Sequence, residues 1–348
     1  MVARLAALLG VLGGAWLLFG PTPVRPVAWD PDPVVPLEAT SEALAGAEVV
    51  AAPGHEGPED VAIDPQGRVF AGVAGGLVLR WEADGSGPVV HARPGGRPLG
   101  LAWAQDGRLL VAAAEAGLVA VDVDGRVETL LTEVDGRPLG FADDVDVGPD
   151  GVVYVSDASS RFPQAAWELD VLEGAANGRL VAFDPRDGRA WTVLAPLHFA
   201  NGVAVHADGR SVLVVETSRY RVRRVWVDGP TRGLDEVFVG GLPGFPDGIS
   251  RGAGRYWLAI PAPRDAALDA VAGMPAVRRL VSRLPSWLRP GPGHHSWVVG
   301  LDDDGRVVEV LEDPRGTFPL PTSVEEHHGV LHLGSLAAPG FARLPRGG

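Results

Sequence analysis

Residues able to bind a cation recur at one phase of a repeated sequence pattern. Counting back eight residues from a turn glycine, or seven where the turn is tighter, reaches an oxygen-bearing side chain in five of six repeats. Three of these are carboxylates, which would raise one another's pKa if they met without a compensating charge. A bound hard cation removes that cost, and Ca²⁺ accepts irregular shells of six to eight oxygen ligands. The six positions are Glu59, Leu99, Asp143, Asn201, Asp247 and Thr322.

No His or Cys lies among these six positions, which argues against zinc. The set therefore predicts a site for Ca²⁺ or another divalent cation, with Glu59, Asp143, Asn201 and Asp247 as its ligands. The alternative is structural, because Asp and Asn are also common turn residues before strands.

The pattern that carries these residues is a polar residue, an apolar strand, a glycine turn and a second apolar strand. It begins as "EDVAIDPQGRVFAG" at Glu59 and occurs six times, with turn glycines 40, 44, 58, 45 and 75 residues apart. Each copy predicts a β-hairpin, and further strand–turn–strand units lie between the copies. Four strands in each repeat are typical of propeller blades. We therefore predict an all-β fold, a six-bladed β-propeller over residues 48–345, with a β-sandwich as the alternative.

Composition excludes several classes of function. The chain of 348 residues has no Cys, so disulfides, thiolate zinc sites and a Cys nucleophile are absent. All 30 basic residues are Arg, which excludes a Lys Schiff base. The formal net charge of −14 argues against a nucleic-acid partner. No G-x-S-x-G motif occurs, so a serine hydrolase is not supported.

The N-terminal sequence predicts a targeting segment rather than a part of the folded domain. The uncharged run Leu5–Phe19 follows Arg4, and residues 1–20 are typical of a signal anchor or a cleaved signal peptide. A Pro-rich linker follows over residues 21–47. We expect the remaining chain to lie outside the cytoplasm, membrane-anchored or, if the run is cleaved, secreted.

Two long intervals between repeats predict insertions. The first contains residues 156–177, which have little strand pattern. The second contains a helical segment at about 263–292, with apolar residues three and four apart and Arg278, Arg279 and Arg283 on the other face. Such a basic amphipathic helix packs on its own domain, covers an active site or contacts a membrane surface.

Longer motifs carry a resemblance to a known family. They are "GPEDVAID", "FADDVDVGPDGVVYVSDASSRF", "FANGVAVHADGRSVLVVETSRYRVRRVWVDG", "LPGFPDGIS" and "LPSWLRP". The chain resembles the superfamily of strictosidine-synthase-like proteins, gluconolactonases and paraoxonases over roughly residues 48–345. Within it, the chain is most similar to the membrane-anchored branch that includes adipocyte plasma-membrane-associated protein.

The resemblance implies a six-bladed propeller with a divalent cation, usually calcium, at the base of its channel. Its ligands would be Glu59, Asp143, Asn201 and Asp247, the set reached above by counting. Two positions depart from the family, which commonly has Asn in place of Asp143 and "FPDN" where this chain reads "FPDG".

Two further departures bear on the reaction. Thr322 stands where the plant condensing enzymes have a catalytic Glu, so alkaloid condensation is not expected. Ala113–Ala114 stand near the position of the paraoxonase catalytic His. The resemblance therefore implies a cation-dependent hydrolase of a small ester or lactone, with Asp247, or otherwise Asp143, as the base that activates water. A non-catalytic propeller that binds a ligand or partner around a structural cation is the alternative.

Two observations concern the channel mouth. His198 lies three residues before Asn201 and is a candidate proton shuttle. Phe199 and Phe245 near the channel would favour an apolar or aromatic substrate.

Overall fold

A computed structural model of the chain describes residues 16, 19–285, 288–289 and 291–346. Six four-stranded antiparallel sheets are arranged as the blades of a propeller, which confirms the predicted all-β fold. The strands are numbered along the chain. The first three blades are β2 (Val61–Ile63), β3 (Val69–Val73), β4 (Leu77–Trp81) and β5 (Val89–Ala92); β6 (Pro98–Trp103), β7 (Leu109–Ala113), β8 (Gly117–Val121) and β9 (Val127–Leu131); and β12 (Ala142–Val147), β13 (Val153–Asp157), β14 (Gly178–Asp184) and β15 (Arg189–Leu197).

The remaining blades complete the ring. They are β16 (Ala200–Val205), β17 (Ser211–Glu216), β18 (Arg221–Trp226) and β19 (Asp235–Val239); β21 (Ile249–Gly252), β22 (Arg255–Ile260), β24 (Ser296–Leu301) and β25 (Val307–Asp313); and β26 (Pro321–His327), β27 (Val330–Ser335), β28 (Gly340–Pro345) and β1 (Glu48–Ala51). A short hairpin pairs β10 (Glu133–Val134) with β11 (Arg137–Pro138), and a two-residue antiparallel ladder pairs β20 (Gly244–Phe245) with β23 (Ala262–Pro263).

The ring closes by pairing the first strand with the last. Strand β1 lies antiparallel to β28, with Glu48 opposite Arg343 and Ala51 opposite Gly340. The N-terminal strand thereby becomes the outer strand of the sixth blade. Closure ties the two ends of the propeller together, so neighbouring blades cannot separate without breaking this ladder.

The hydrophobic core lies between neighbouring blades. Between the first two blades, Phe70 packs with Val111 and Val119, and between the last two, Trp257 packs with Leu333. The inner strands β2, β6, β12, β16, β21 and β26 pack side by side around the channel. The six repeat glycines, which end the first turn of each blade, all have positive φ, between 62° and 84°. This conformation explains why the sequence pattern requires Gly there.

Both insertions lie at the end of the ring where the inner strands begin, which we call the site end. The first contains a helix that sequence analysis did not predict, α1 (Trp167–Glu173). The second forms two short helices rather than one long segment, α2 (Ala266–Ala270) and α3 (Pro275–Ser282). They lie at the site end because β13 and β22, which precede the insertions, are antiparallel to the inner strands β12 and β21.

The Pro-rich segment after residue 20 lies across the same end of the ring. Val24 is fully buried, and the backbone NH of Val27 donates to the carbonyl of Glu173 in α1 at 3.0 Å. Further along, the NH of Val35 donates to the carbonyl of Gly241 at 2.7 Å. The predicted anchor at residues 1–20 falls almost entirely outside the described residues. Within the described ranges, no helix is long and apolar enough to cross a bilayer.

Candidate functional site

The inner strands share an irregularity at the site end. In β6, β12, β16 and β26 the pairing register slips by one residue near the start, so each of these four inner strands has a β-bulge. In β12 the slip lies between Ala142 and Val145, and in β16 it lies between Ala200 and Val203. A bulge bends the strand and re-aims a side chain. These bulges therefore fall where Asp143 and Asn201 enter the channel.

Consecutive acidic residues at these strand starts have different contacts. Asp60, which follows Glu59, accepts a hydrogen bond from the backbone NH of Leu101 on the next blade at 2.7 Å. Asp144, which follows Asp143, accepts one from the NH of Val203 on the next blade, also at 2.7 Å. The second acid of each pair thus joins neighbouring blades, while the first belongs to the cluster described next. Sequence analysis did not assign this bridging role to Asp60 and Asp144.

Two glycines permit the blades to approach closely at the site. A Cβ atom on Gly202 would lie 2.5 Å from the carbonyl oxygen of Asp247, and one on Gly334 would lie 2.2 Å from that of Glu59. The NH of Gly202 donates to the Asp247 carbonyl at 3.2 Å. Any side chain at these positions would push the predicted ligands apart.

Three of the four predicted ligands are carboxylates that influence one another's protonation. Burial raises the pKa of Asp143 well above its usual range, and the charges of Glu59 and Asp247 raise it further. Burial and the charge of Glu59 likewise raise the pKa of Asp247, which a hydrogen bond from Asn201 partly offsets. The structure thus brings Glu59, Asp143, Asn201 and Asp247 to one end of the channel, where Asp143 and Asn201 are 5% and 9% exposed.

Arg97 is a member of this site that sequence analysis missed. Its Nη2 atom lies 2.7 Å from Glu59 Oε2, and the two side chains are 19% and 14% exposed. Burial raises the pKa of Glu59, whereas the Arg97 charge lowers it. Arg97 lies just before β6, so the second blade contributes a cation where four other blades contribute oxygens. Its position two residues before the apolar Leu99 was the available signal in the sequence.

Positive charge at the cluster remains smaller than negative charge. Among the described residues, Asp143 Oδ2 is buried and accepts no hydrogen bond. Carboxylate and amide oxygens are the donors that Ca²⁺ prefers, so this donor set fits such an ion. In the described ranges, however, no group of three or more His, Asp or Glu side chains already lies in an arrangement that could hold a metal ion. Ion binding would therefore require side chains to move, and Arg97 is the competing cation.

The two remaining repeat positions have structural contacts. Thr322 donates a hydrogen bond from Oγ1 to the carbonyl of Glu59 at 2.6 Å. Leu99 packs in a buried cluster with Phe141 and Phe199, whose rings meet edge to face at 5.6 Å between centroids. Phe245 instead packs its ring on Tyr220 at 5.1 Å. Of these residues, Leu99 lines the channel cavity, whereas the rings of Phe141, Phe199 and Phe245 pack in the interior and do not line it.

His198 lies on the same side of the ring. Its backbone NH donates to Glu216 Oε1 at 2.8 Å, and, within the described part of the chain, its Nδ1 atom is buried without a hydrogen-bond partner. Burial and the nearby charge of Arg219 lower the pKa of His198 to about 4. The imidazole is therefore neutral at pH 7 and able to accept a proton.

The channel forms a cavity of about 210 Å³ that is lined by the four predicted ligands and, further along the inner strands, by more acidic residues. Burial raises the pKa of Asp60 to about 7 and that of Asp146 to about 6. It raises the pKa of Glu325 to about 8, with further contributions from the charges of Asp60, Asp146 and Glu326. Asp60 and Asp146 accept backbone hydrogen bonds from the next blade. Arg251 also lines the cavity and lowers the pKa of Asp146 by its charge.

Because its pKa is raised, the Glu325 carboxyl should make the free energy of unfolding depend on pH. Its folded pKa exceeds the unfolded value of about 4.3, so its contribution to stability falls as pH rises from about 4 to 8. We expect Glu325→Gln, which mimics the protonated form, to match the wild type at pH 4. At pH 9 it should raise the free energy of unfolding by about 5 kcal/mol, at roughly 1.36 kcal/mol for each unit of the pKa difference. Urea denaturation at the two pH values measures this.

The neighbouring Glu326 is the matched control. It accepts a hydrogen bond from Trp257 Nε1 at 2.8 Å and pairs with Arg346 at 3.1 Å. Burial acts to raise the pKa of Glu326, but these two bonds outweigh it and the pKa is lowered. Glu326→Gln should therefore lower stability at pH 9. Equal responses of the two variants would contradict the assignment of Glu325 as an acid whose pKa is raised in the folded protein.

Sequence comparisons agree with this architecture. The chain matches the strictosidine synthase family over residues 143–230 and the N-terminal region of strictosidine synthase-like proteins over residues 39–81. Among solved structures, it superposes on a gluconolactonase from Xanthomonas campestris with a TM-score of 0.62 and 18% identity, covering 92% of this chain and 98% of the other. It superposes on a calcium-binding protein, regucalcin, from Agrobacterium tumefaciens with a TM-score of 0.58 and 18% identity, covering 86% of this chain and 92% of the other. At this identity these likenesses establish the fold.

Curated relatives are more similar in sequence. Human adipocyte plasma membrane-associated protein is 33% identical over 359 residues, covering 96% of this chain and 86% of the relative. The Arabidopsis thaliana protein STRICTOSIDINE SYNTHASE-LIKE 10 is 34% identical over 333 residues, covering 87% of this chain and 89% of the relative. Identity at this level over nearly whole chains shows a shared family as well as a shared fold. This chain therefore belongs to the strictosidine synthase-like family of β-propellers.

Proposed function

We propose that the protein is a cation-dependent hydrolase of a small ester or lactone. The observation that carries the proposal is the meeting of three carboxylates and one amide from four blades, with Asp143 buried, Glu59 and Asp247 partly exposed, and Asp143 Oδ2 unsatisfied among the described residues. The propeller fold shared with gluconolactonases supports the same class of reaction. The regucalcin neighbour, described as calcium-binding, supports the choice of ion.

Glu59, Asp143, Asn201 and Asp247 would hold the cation. When bound, a divalent cation supplies Lewis-acid polarisation of the substrate carbonyl. Asn201 contributes a neutral oxygen, and its hydrogen bond to Asp247 fixes the direction of that carboxylate. Arg97 pairs with Glu59 in the ion-free site and would move away for Glu59 to bind the cation.

Asp247 is the proposed base, with Asp143 as the second choice. Burial and the charge of Glu59 raise the pKa of Asp247 in the ion-free site, whereas a cation held by this carboxylate would lower it. Asp247 would therefore act as the base through an oxygen that does not bind the cation. Asp247 would take a proton from water as the water oxygen attacks the carbonyl carbon. It would return that proton to the alcohol oxygen as the ester bond breaks.

The substrate would present an apolar or aromatic portion. Leu99, Phe141 and Phe199 form the buried apolar cluster beside the inner-strand starts. Of this cluster, Leu99 lines the channel cavity and would contact that portion of the substrate, whereas Phe141 and Phe199 are buried and Phe245 packs on Tyr220.

A second candidate function follows from Arg97. Because its guanidinium already lies 2.7 Å from Glu59, the cluster is partly neutralised without an ion. A site balanced in this way also suits a non-catalytic propeller that binds a ligand or partner with a structural cation. Turnover distinguishes the two functions.

The hydrolase proposal predicts chelator-sensitive turnover by the full chain. We expect hydrolysis of phenyl acetate, or of a member of a lactone panel, that EDTA abolishes and Ca²⁺ restores. Asp247→Ala should lower kcat by about 100-fold or more, the usual contribution of a general base. Asp143→Asn should retain most activity because its amide oxygen can still bind the ion, whereas Asp143→Ala should not.

Asp124→Ala, in an exposed turn at the far end of the ring, is the control. It should leave the rate unchanged. Ca²⁺-dependent stabilisation without turnover on any substrate would reject the hydrolase in favour of the binding propeller.

Arg97 predicts a gain rather than a loss of ion affinity. Removing its charge with Arg97→Gln should tighten Ca²⁺ binding on the order of tenfold, because a like charge a few Å away costs more than about 1 kcal/mol. The same variant should be less stable than wild type without calcium, since Glu59 loses its partner. Isothermal titration and thermal melts with and without Ca²⁺ measure both effects. Weaker binding by Arg97→Gln would mean that Arg97 organises the ion site instead of competing with it.

A further inference from the structure

Helix α3 packs with its Arg inward and its apolar side chains outward. Arg278 is 1% exposed and donates to the carbonyls of Leu172 and Val27, each at 2.8 Å, and of Ala272 at 3.0 Å. Ser282, also buried, lies 2.9 Å from Thr22 between their hydroxyl oxygens. The polar side of this helix is therefore used for packing on the domain.

The outward side of α3 leaves large apolar groups in solvent, with Val277 and Leu280 38% and 37% exposed. Met274 immediately precedes the helix and Leu288 follows it, and their side chains are 52% and 51% exposed. Burying such groups is favourable by about 25 cal/mol for each Å² removed from water, so their exposure marks an interaction surface. We call these four residues the α3 apolar face.

Exposed aromatic residues gather in the same region. In the described ranges, the exposed aromatic and Met side chains are Trp16, Phe19, Trp167 and Met274. Trp167 opens α1, which packs against α3. The other exposed large apolar residues are aliphatic, as on the outer strands at Val89 and Val237. Trp and Phe at an apolar surface are typical of groups placed at a membrane interface.

The apolar N-terminal run ends beside this face. Thr22 contacts Ser282 of α3, and the NH of Arg25 donates to Glu173 of α1. Phe19 is three residues before Thr22, so it lies within about 11 Å of it. The run Leu5–Phe19 therefore joins the folded domain at α3.

The segment that contains α3, residues 270–292, is positively charged, whereas the whole chain is negatively charged. Residues 270–292 contain four Arg and no Asp or Glu, in a protein of formal net charge −14. Arg279 is exposed next to the α3 apolar face, and Arg289 lies near Glu168 of α1. Basic residues beside an apolar helix face complement anionic lipid headgroups.

We propose that the α3 apolar face docks on the surface of a lipid bilayer containing anionic lipids. The docked surface lies at the site end of the ring, so the mouth of the channel faces the bilayer. The inference does not depend on the hydrolase proposal, because it rests on α3, its flanking Arg residues and the point where the N-terminal run enters.

Site-specific fluorescence in the full chain tests the contact. The chain has no Cys, so Leu280→Cys can be labelled alone with an environment-sensitive nitrobenzoxadiazole group. Val123→Cys, 76% exposed in the turn between β8 and β9 at the opposite end, is the matched control. Both proteins are reconstituted with phosphatidylcholine vesicles, with or without phosphatidylserine, that carry nitroxide-labelled acyl chains. The N-terminal run tethers both proteins equally.

We expect several-fold stronger quenching and a blue shift at residue 280 but not at residue 123, with a larger effect in the presence of phosphatidylserine. Arg279→Gln should reduce the phosphatidylserine dependence. A label at Val277→Cys should repeat the result if Leu280→Cys perturbs folding. Equal quenching at residues 280 and 123 would overturn the proposal. So would a blue shift at residue 280 that appears without vesicles and grows with protein concentration, which would assign the face to a second copy of the chain.

Discussion

The crowding of three carboxylates at one end of the channel is the constraint on which the rest of the molecule depends. An ionised carboxylate removed from water costs several kcal/mol unless a partner compensates it. Although Arg97 lies 2.7 Å from Glu59, the pKa values of Glu59, Asp143 and Asp247 are all raised, chiefly by desolvation. The protein can protonate these acids or bind a cation. Binding a divalent ion satisfies all of them together, and it also places a Lewis acid at the channel mouth.

The fold supplies this arrangement through features that otherwise weaken a sheet. Bulges interrupt the ladders of four inner strands, and glycines such as Gly202 leave no side chain to pack. Asp60 and Asp144 offset part of the loss by accepting backbone hydrogen bonds from the next blade. Closure of the ring through β1 and β28 then holds all six inner strands in register. Blade-to-blade contacts therefore set the distances between the carboxylates.

Much of this could be predicted from the sequence because a propeller repeats one unit. The turn glycines fixed the phase, and the phase identified the strand starts that carry Asp143 and Asn201. Arg97 could not be found in that way, because it contacts a residue of another blade and lies outside the repeat phase. The orientation of α3 was hidden for a related reason. Its amphipathic pattern shows two faces, but only the carbonyls of Val27 and Leu172 determine that Arg278 turns inward.

A crystal structure with calcium, recorded at a wavelength where calcium scatters anomalously, tests the central claim most directly. The account predicts one strong anomalous peak at the site end of the channel, with oxygens of Glu59, Asp143, Asn201 and Asp247 at about 2.3–2.6 Å from it. The Arg97 guanidinium should have moved away from Glu59. No peak at high calcium, with Arg97 still paired to Glu59, would contradict the account and leave an acidic cluster balanced by protons and one arginine.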